Sequence, residues 1–327
     1  MNSYESDPAL SRQRVAALTV GIVGAGRVGR ALGRLLHKAG WRIGPVITRS
    51  LGTAREARRR IGSGQPQTGV SESLLSVDLV LIATPDRAIA ATAKALAQIG
   101  ESKDVSSALR ARKDVRGKAP RAAWSGKTVL HTSGALASDL LEPLRLQGAA
   151  IGSLHPLQTF SGRTVPSLQG STCVIEGDPG ALRMARRICR DLGGIAVTLP
   201  PGNKGAYHTG AALAAGHLLA LFEAAVRMLV KSGFPKNRAV AALLPLTRQT
   251  LANFERVGAS AAWTGPLSRG DFEVIRRHLE ALHRFPREYR AAYEALSRLA
   301  ANVLANGSPA KQHVRKRALE RVLARRK

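Results

Sequence analysis

Residues 18–33, LTVGIVGAGRVGRALG, carry three glycines in the order G-x-G-x-x-G between two differently patterned segments. The apolar run before the glycines predicts a buried strand, and the leucine spacing after them predicts a helix. In such a corner Gly24 permits the tight turn, Gly26 lets a phosphate approach the backbone, and Gly29 lets the helix pack on the strand. The helix N-terminus then attracts a pyrophosphate. The stretch therefore predicts a dinucleotide-binding corner, with a glycine-rich turn that binds nothing as the alternative. Its predicted contacts are Gly24, Ala25, Gly26, Arg27, Val28 and Gly29.

The end of the second predicted strand, residues 41–48, distinguishes between the two nicotinamide coenzymes. In NAD-binding folds this strand often ends in a carboxylate that holds the ribose 2′-hydroxyl. Thr48, Arg49 and Ser50 stand there instead. Because a guanidinium flanked by hydroxyls suits a 2′-phosphate, we predict NADP(H) as the cofactor. The alternative is that Arg49 is one more surface arginine.

Polar residues follow three further predicted strands, at the sheet edge where ligands bind in doubly wound folds. We predict that Thr84, Pro85 and Ser133 contact the nicotinamide, and that Asp86 is the N-cap of the next helix. Ser133 has an equal alternative as the cap of a helix over residues 137–145. His155 is predicted as a catalytic residue, with a structural, hydrogen-bonded histidine as the alternative.

The whole pattern predicts an α/β chain with a doubly wound parallel sheet, followed by an all-helical second domain. We predict a dinucleotide-binding domain over residues 17–200, a helical domain over residues 201–305 and a basic tail over residues 306–327. A basic insert of about residues 101–122 interrupts the first domain. The predicted strands are residues 18–23, 41–48, 78–84, 127–131, 150–154, 172–176 and 195–199, and residues 62–69 are predicted to be a loop.

The first helix of the second domain supplies the predicted proton-transfer groups. It opens Lys204-Gly205-Ala206-Tyr207-His208, so Lys204 and His208 share one helix face. A helix N-terminus disfavours a protonated base and lowers its pKa, which suits proton exchange near neutral pH. We predict Lys204 as the first catalytic residue and His208 as the second. The equal alternative is a surface lysine and a packed histidine.

A second unusual stretch, residues 263–271 with the sequence WTGPLSRGD, is a predicted turn with two opposed interpretations. Thr264, Ser268 and Arg269 either bind an anionic substrate group or belong to a structural interhelix loop. Asp271 is predicted to cap the helix that follows.

The charge and the cysteines bear on partners and compartment. The chain carries a formal net charge of +28, much of it in the insert and the tail. Because aromatic residues make up only 4% of the chain and do not interleave with these charges, we predict a solvated basic surface and no specific nucleic-acid partner. The two cysteines are predicted to be reduced, no metal site is predicted, and no stretch is predicted to span a membrane. The predicted compartment is the cytoplasm.

The motifs GIVGAGRVG, ITRS, LIATPD, HTSGA, SLHPLQTF, GNKGAYH and TGPLSRGD, in this order over about residues 18–285, resemble a family of Rossmann-like oxidoreductases with an uncharacterised helical C-terminal domain. This family is similar to deazaflavin-dependent NADP oxidoreductases, pyrroline-5-carboxylate reductases and β-hydroxyacid dehydrogenases. The resemblance implies a C-terminal domain of the 6-phosphogluconate dehydrogenase type and a homodimer formed through it. It also implies that Lys204 is the catalytic lysine of the β-hydroxyacid group, while His208 replaces that group's asparagine.

Together these features predict an NADP(H)-dependent oxidoreductase. It would transfer hydride between nicotinamide and a small carbonyl, hydroxyacid or imine substrate in a cleft between the domains. One alternative is a regulatory protein that binds NADP(H) without chemistry, which the missing asparagine favours. A third hypothesis is a nucleic-acid-associated protein that acts through the basic insert and tail.

Overall fold

The computed structural model describes residues 17–101, 122–305 and 309–324 of the chain, which divides into two units, Met1–Ala215 and Gly216–Lys327. Residues 1–16, nearly all of the predicted basic insert and both ends of the predicted tail lie outside the described residues. The tail is helical over Pro309–Leu323.

The first unit is built on one eight-stranded sheet with the order β3-β2-β1-β4-β5-β6-β7-β8. Neighbouring strands are parallel except for β6 and β7, where Leu154 lies opposite Ile175 in an antiparallel pair. The order reverses at β1, because the chain first builds outward through β2 and β3 and then returns to β4, which confirms the doubly wound fold. The strands are β1 Thr19–Val23, β2 Arg42–Thr48, β3 Gln65–Thr68, β4 Leu79–Ile82, β5 Thr128–His131, β6 Ala150–Pro156, β7 Thr172–Gly177 and β8 Ile195–Thr198.

Helices cover both faces of this sheet and close two hydrophobic cores. Leu32 and Leu36 belong to one core, whereas Ile89 and Leu96 belong to the other. All four side chains are almost completely buried, and each such burial contributes about 1.5–3 kcal/mol. The helices are α1 Arg27–Lys38, α2 Leu51–Ile61, α3 Asp86–Glu101, α4 Glu142–Arg145, α5 Pro179–Asp191 and α6 Lys204–Ala212, with short 3₁₀ turns at Glu72–Ser76 and Ser138–Leu141.

The described part of the second unit is helical. A π-helical turn, Leu213–His217, joins α6 to α7 Leu218–Lys231, which is followed by α8 Lys236–Ala262, α9 Pro266–Arg269, α10 Phe272–Leu282, α11 Arg287–Val303 and α12 Pro309–Leu323. Its core joins α10, α11 and α12 through Ile275, Leu279, Ala301, Leu319 and Leu323. The last helix of the basic tail therefore contributes apolar side chains to this core.

The structure corrects the predicted elements in three places. Residues 65–68 form an edge strand inside the predicted loop, since their main chain pairs with β2 although the sequence QPQT has little strand propensity. The predicted helix over residues 137–145 is a 3₁₀ turn followed by one short helix. The predicted first helix of the helical domain is interrupted by the π-helical turn, and α8 has a break at Gly258, where φ is +78°.

One helical run, Lys204–Lys231, is long and apolar enough to cross a membrane when only length and composition are considered. Its most apolar window has a mean hydropathy of 1.6 and is only 6% buried. The prediction that no stretch reads as a span is therefore not supported for this run.

Candidate functional site

The glycine corner between β1 and α1 has the geometry that the motif requires. Gly24 has a φ of +90°, and a Cβ atom there would lie 2.6 Å from the backbone nitrogen of Thr84. A Cβ on Gly29 would lie 2.4 Å from the carbonyl oxygen of Gly24, whereas a Cβ on Gly26 would meet nothing within 4 Å. Two of the three glycines are therefore held by close packing, and the third leaves open space beside the N-terminus of α1.

This open space suits a phosphate. The first turn of α1 contains no acidic residue, so its N–H groups and partial positive charge are not compensated there. The hydroxyl oxygen of Thr84 is buried near the corner and has no hydrogen-bond partner among the described residues. Each feature fits the phosphate end of a dinucleotide, and the unpartnered hydroxyl offers a further polar contact.

The segment after β2 presents one long cation. Arg49 is exposed. The Ser50 hydroxyl accepts a hydrogen bond from the backbone N–H of Thr53 at 3.3 Å, which makes Ser50 the N-cap of α2. The Thr48 hydroxyl donates to the carbonyl oxygen of Ser50 at 2.8 Å. Both hydroxyls therefore have local structural roles, and Arg49 is the side chain best placed to reach an added phosphate.

Lys204 lies buried at the start of α6, with only 4% of its surface exposed. Its Nζ donates to the carbonyl oxygen of Ser133 at 3.0 Å and lies 4.0 Å from Oε2 of Glu176. Burial lowers the pKa of Lys204, and the carboxylates of Glu176 and Asp86 oppose that shift. The direction agrees with the sequence prediction, but the physical cause is burial.

Glu176 is fixed by a second contact and was not recognised from the sequence. Its Oε1 accepts from the backbone N–H of Ser138 at 3.0 Å and from the Ser138 hydroxyl at 2.9 Å. Its Oε2 is buried and has no hydrogen-bond partner among the described residues. One carboxylate oxygen therefore anchors the side chain, while the other faces the Lys204 ammonium group.

Ser133 is the junction of this cluster. Its hydroxyl donates to Oδ2 of Asp86 at 2.9 Å and accepts from the backbone N–H groups of Ala135 and Leu136. Asp86 is the first residue of α3 and holds Ser133, which corrects its prediction as an N-cap. Ser133 closes a tight turn, which corrects its alternative as the cap of a helix over residues 137–145.

The rings of His155, Tyr207 and His208 lie beside Ser133. Nδ1 of His155 lies 2.7 Å from the hydroxyl of Tyr207, and the centroids of His155 and His208 are 5.6 Å apart. Burial and the neighbouring His208 and Lys204 lower the pKa of His155 to about 4, and burial raises the pKa of Tyr207 to about 12. At neutral pH the pair therefore consists of a neutral imidazole and a protonated phenol.

The two histidine rings leave no room for a side chain on the turn below them. A Cβ on Gly134 would lie 2.5 Å from Nδ1 of His208 and 2.8 Å from the His155 ring. Nδ1 of His208 is buried and has no hydrogen-bond partner among the described residues. A ligand beside His208 therefore has a polar group to contact.

His131 supports the turn from below and was also missed. Its Nδ1 accepts from the backbone N–H of Ser133 at 3.2 Å, so its Nε2–H donates to the carbonyl oxygen of Ala137 at 3.1 Å. Burial, the largest cause, lowers its pKa to about 4. A neutral His131 thereby fixes the backbone of Ser133, whose carbonyl oxygen accepts the hydrogen bond from Lys204.

The structure thus brings together Lys204, His208, His155 and Ser133, four residues singled out from the sequence, and adds side chains that the sequence analysis did not name. Tyr207 had a recognisable signal, because it lies three residues after Lys204 on the same helix. Glu176 had none, since a lone acid inside a strand does not reveal its neighbours. The glycine corner adjoins this cluster, because Gly24 packs against Thr84, two residues before Asp86.

The WTGPLSRGD turn lies in the second unit. The Ser268 hydroxyl donates to the carbonyl oxygen of Gly265 at 2.8 Å, and Asp271 accepts from Nε of Arg269 at 3.0 Å. Asp271 occupies the N-cap position of α10, as predicted, but its side chain makes no capping hydrogen bond there. These contacts support the structural interpretation of this turn.

Two family profiles match the chain. A Rossmann-like domain matches residues 4–156, and a domain of unknown function (DUF2520) matches residues 171–300. The chain therefore combines a Rossmann-like domain with a DUF2520 domain. This combination confirms the family resemblance that the motifs carry. No curated protein matches the chain.

Solved structures with the same fold span nearly the whole chain. A candidate NADP oxidoreductase from Bacteroides fragilis is 22% identical with a TM-score of 0.66, and the match covers 86% of this chain and 97% of that one. A reductive aminase from Aspergillus terreus, in complex with NADPH and ethyl-5-oxohexanoate, is 15% identical with a TM-score of 0.54, covering 94% of each chain. A pyrroline-5-carboxylate reductase from Coxiella burnetii is 13% identical with a TM-score of 0.52, covering 94% and 97%. At these identities the likeness establishes the fold.

Proposed function

We propose that this protein is an NADP(H)-dependent oxidoreductase that reduces a small carbonyl or imine substrate. The observation that carries the proposal is the open space at Gly26, which is flanked by two tightly packed glycines and adjoins the Lys204 cluster. The similarity of the fold to NADPH-bound reductases supports the same conclusion.

The coenzyme is held in the glycine corner and along the edge of the sheet. Gly24 to Gly29 receive the pyrophosphate, and Arg49 pairs with the 2′-phosphate. Thr84, Pro85 and Ser133 line the path toward the nicotinamide. When bound, NADPH supplies a hydride. The remaining chemistry, which is the placement of the substrate and the delivery of one proton, belongs to the side chains around Lys204.

The proton has two adjacent sources. The ammonium group of Lys204 donates one N–H to the carbonyl oxygen of Ser133, and its other N–H groups can donate to a substrate atom. The Tyr207 hydroxyl, which stays protonated because burial raises its pKa to about 12, donates either to His155 or to a substrate. Nδ1 of His208 offers a further contact. Lys204 is our first choice for the proton donor, since its burial lowers its pKa and so favours proton release.

The charge of the cluster favours some substrates over others. The ionised groups that act on Lys204 are the carboxylates of Glu176 and Asp86, and His131 and His155 are neutral at pH 7. Two carboxylates against one ammonium leave an excess negative charge. Because a substrate carboxylate would be repelled there, we favour a neutral carbonyl or an imine over a hydroxyacid.

The test uses a panel of small carbonyl, imine and hydroxyacid compounds with NADPH, followed by Lys204→Met. Turnover of an active compound is expected to fall by about 100-fold or more, while NADPH affinity stays within about twofold. Lys94→Met, at an exposed position on α3, is the matched control. Undiminished turnover in Lys204→Met would remove Lys204 from the mechanism. Tight NADPH binding without turnover of any compound would favour a regulatory protein.

We also propose a homodimer formed through the second unit. Large apolar side chains on α7 and α8 are exposed, among them Leu219 at 68%, Leu246 at 63% and Phe254 at 57%. A large exposed apolar surface of this kind marks an interface with another protein chain. Leu246→Glu is expected to convert a dimer into a monomer in sedimentation experiments, whereas Arg248→Glu, the matched control on the same helix, should not. A wild-type protein that sediments as a monomer would contradict this assignment.

The same exposed surface is a poor membrane span. Lys204 and His208, at the start of the apolar run, belong to the side-chain cluster of the first unit. The second half of the run, α7, carries the ion pair of Glu223 and Arg227, and charged side chains are costly inside a bilayer. We therefore assign the protein to the cytoplasm, where its free, buried thiols Cys173 and Cys189 would stay reduced.

A further inference from the structure

A strongly basic cavity lies in the first unit, on the outer side of α1. Its volume is about 450 Å³, within the range of small-molecule sites. Helix α1, the end of α2 and residues 160–165 form its walls. Six of the described lining residues are cationic, and none of the described ones is acidic; the cations are Arg27, Arg30, Arg34, Lys38, Arg60 and Arg163.

Four of these cations form one row along α1. Arg27, Arg30, Arg34 and Lys38 follow one another at spacings of three and four residues, so they share one helix face. The row spans about 16 Å at 1.5 Å per residue. A ligand with several negative charges in a line would contact more of this row than a single anion would.

The guanidinium groups are held in place by the surrounding chain. Nη1 of Arg34 donates to the carbonyl oxygen of Arg60 at 2.9 Å, and Nη1 of Arg60 donates to the carbonyl oxygen of Gly162 at 3.4 Å. Glu56 pairs with Arg60 at 2.8 Å and lies 3.9 Å from Arg30. The Glu56 carboxylate therefore offsets part of the positive charge. The other cations of the cavity repel one another, and a bound anion would relieve that repulsion.

The cavity is separate from most of the proposed coenzyme site. The two share Arg27, whereas Arg49 and Thr84 do not line the cavity. Phe160 and Val165 add apolar wall on the side of the loop. The enclosure by residues 160–165 and the limited volume favour a small ligand over a nucleic-acid strand.

We propose that this cavity binds an oligophosphate group of about three phosphates, carried either by a nucleoside triphosphate or by inorganic tripolyphosphate. Charge-assisted hydrogen bonds from several guanidinium groups to one phosphate chain provide the affinity. This site is additional to the coenzyme site and does not depend on the proposed reaction.

The test is calorimetric titration of the full chain with sodium tripolyphosphate, ATP and inorganic phosphate. Arg34→Gln and Arg163→Gln are compared with Arg290→Gln, which removes an arginine paired with Glu294 in the second unit. Arg163 is exposed on the loop, so its variant keeps the test valid should Arg34→Gln fail to fold. Circular dichroism checks the fold of each variant.

The expected result is binding of one tripolyphosphate or ATP per chain, with inorganic phosphate much weaker. Each cavity variant should weaken binding by about tenfold, and the control should not. Equal affinity for ATP and tripolyphosphate identifies the phosphate chain as the recognised group, and tighter binding of ATP indicates added contacts to the nucleoside; both results support the site.

Four results would overturn the proposal. The first is the absence of heat with either oligophosphate, and the second is unchanged affinity in the cavity variants. The third is loss of oligophosphate binding when NADPH is saturating, which would make the cavity part of the coenzyme site. The fourth comes from a parallel titration with an oligothymidylate: binding that depends on Arg34, without binding of tripolyphosphate, would assign the cavity to nucleic acid.

Discussion

The contact between Lys204 and Glu176 predicts a large coupling between two substitutions. At the 4.0 Å that separates Nζ from Oε2, two unit charges interact by about 4 kcal/mol at an effective dielectric constant of about 20. Lys204→Met leaves the Glu176 carboxylate buried and uncompensated, which should lower the free energy of unfolding by about 3–5 kcal/mol. Glu176→Gln leaves the Lys204 ammonium group buried, with only the Asp86 carboxylate to offset its charge.

The double variant removes both charges and should therefore lose much less stability than the sum of the single variants. We expect a coupling of about 2–4 kcal/mol, which is the worked Coulomb energy reduced by the absence of a direct hydrogen bond. Both variants that lack Lys204 also lose the hydrogen bond to the carbonyl oxygen of Ser133, so the energy of that bond cancels from the cycle.

Urea denaturation at pH 7 measures the four free energies. Trp41 and Trp124 report on the first unit, so a Trp263→Phe background removes the second unit's tryptophan from the fluorescence signal. A partly exposed ion pair in the same unit, Arg60 with Glu56 four residues apart on α2, provides a control cycle with a coupling of about 0.3–0.5 kcal/mol. A coupling below about 0.5 kcal/mol for Lys204 and Glu176 would refute the buried ion pair.

Two further predictions concern His131 and the glycine corner. Because the folded-state pKa of His131 is about 4, below the unfolded value near 6.5, the unfolded chain binds more protons in this window. Protonation of His131 should therefore lower the free energy of unfolding by about 3 kcal/mol as the pH drops from 6.5 to 4, and His155 should contribute a similar amount. His131→Gln should remove the first contribution and leave the second. A pH profile that the substitution leaves unchanged would contradict the assignment. Gly24→Ala should lower stability by about 3 kcal/mol through its φ of +90° and its clash with Thr84. Gly26→Ala should change stability by less than about 1 kcal/mol yet weaken NADPH binding at least tenfold, as thermal unfolding and calorimetry would show; equal NADPH binding by wild type and Gly26→Ala would exclude the corner as the phosphate site.

The glycine corner could be predicted from the sequence because every part of it is local. A strand, three glycines and a helix follow one another within residues 18–33, and each glycine's role depends on the turn they form. Only the contacts of Gly24 and Gly29 with Ala83 and Thr84, the residues after β4, required the fold, and the doubly wound pattern already placed β4 beside β1.

The Lys204 cluster could be predicted only in part because its members are far apart in the chain. Strand ends marked Ser133 and His155, and helical spacing linked Lys204 to His208. Glu176 lies in β7, where the antiparallel pairing with β6 decides which neighbours it meets. Neither composition nor periodicity specifies that pairing.

The missed strand β3 has a different cause. Its residues QPQT lack the branched and aromatic side chains of a typical strand, and only main-chain pairing with Pro45 to Thr48 of β2 defines it. Propensity therefore predicted a loop where the tertiary contact makes an edge strand.

The central claim, that the glycine corner holds a phosphate-bearing nicotinamide coenzyme, is tested most directly by calorimetric titration with NADPH and NADH. The proposal predicts that NADPH binds at least about tenfold more tightly than NADH, and that Arg49→Gln narrows this difference mainly by weakening NADPH. Folded protein that gives no heat with either coenzyme, reduced or oxidised, would contradict the claim.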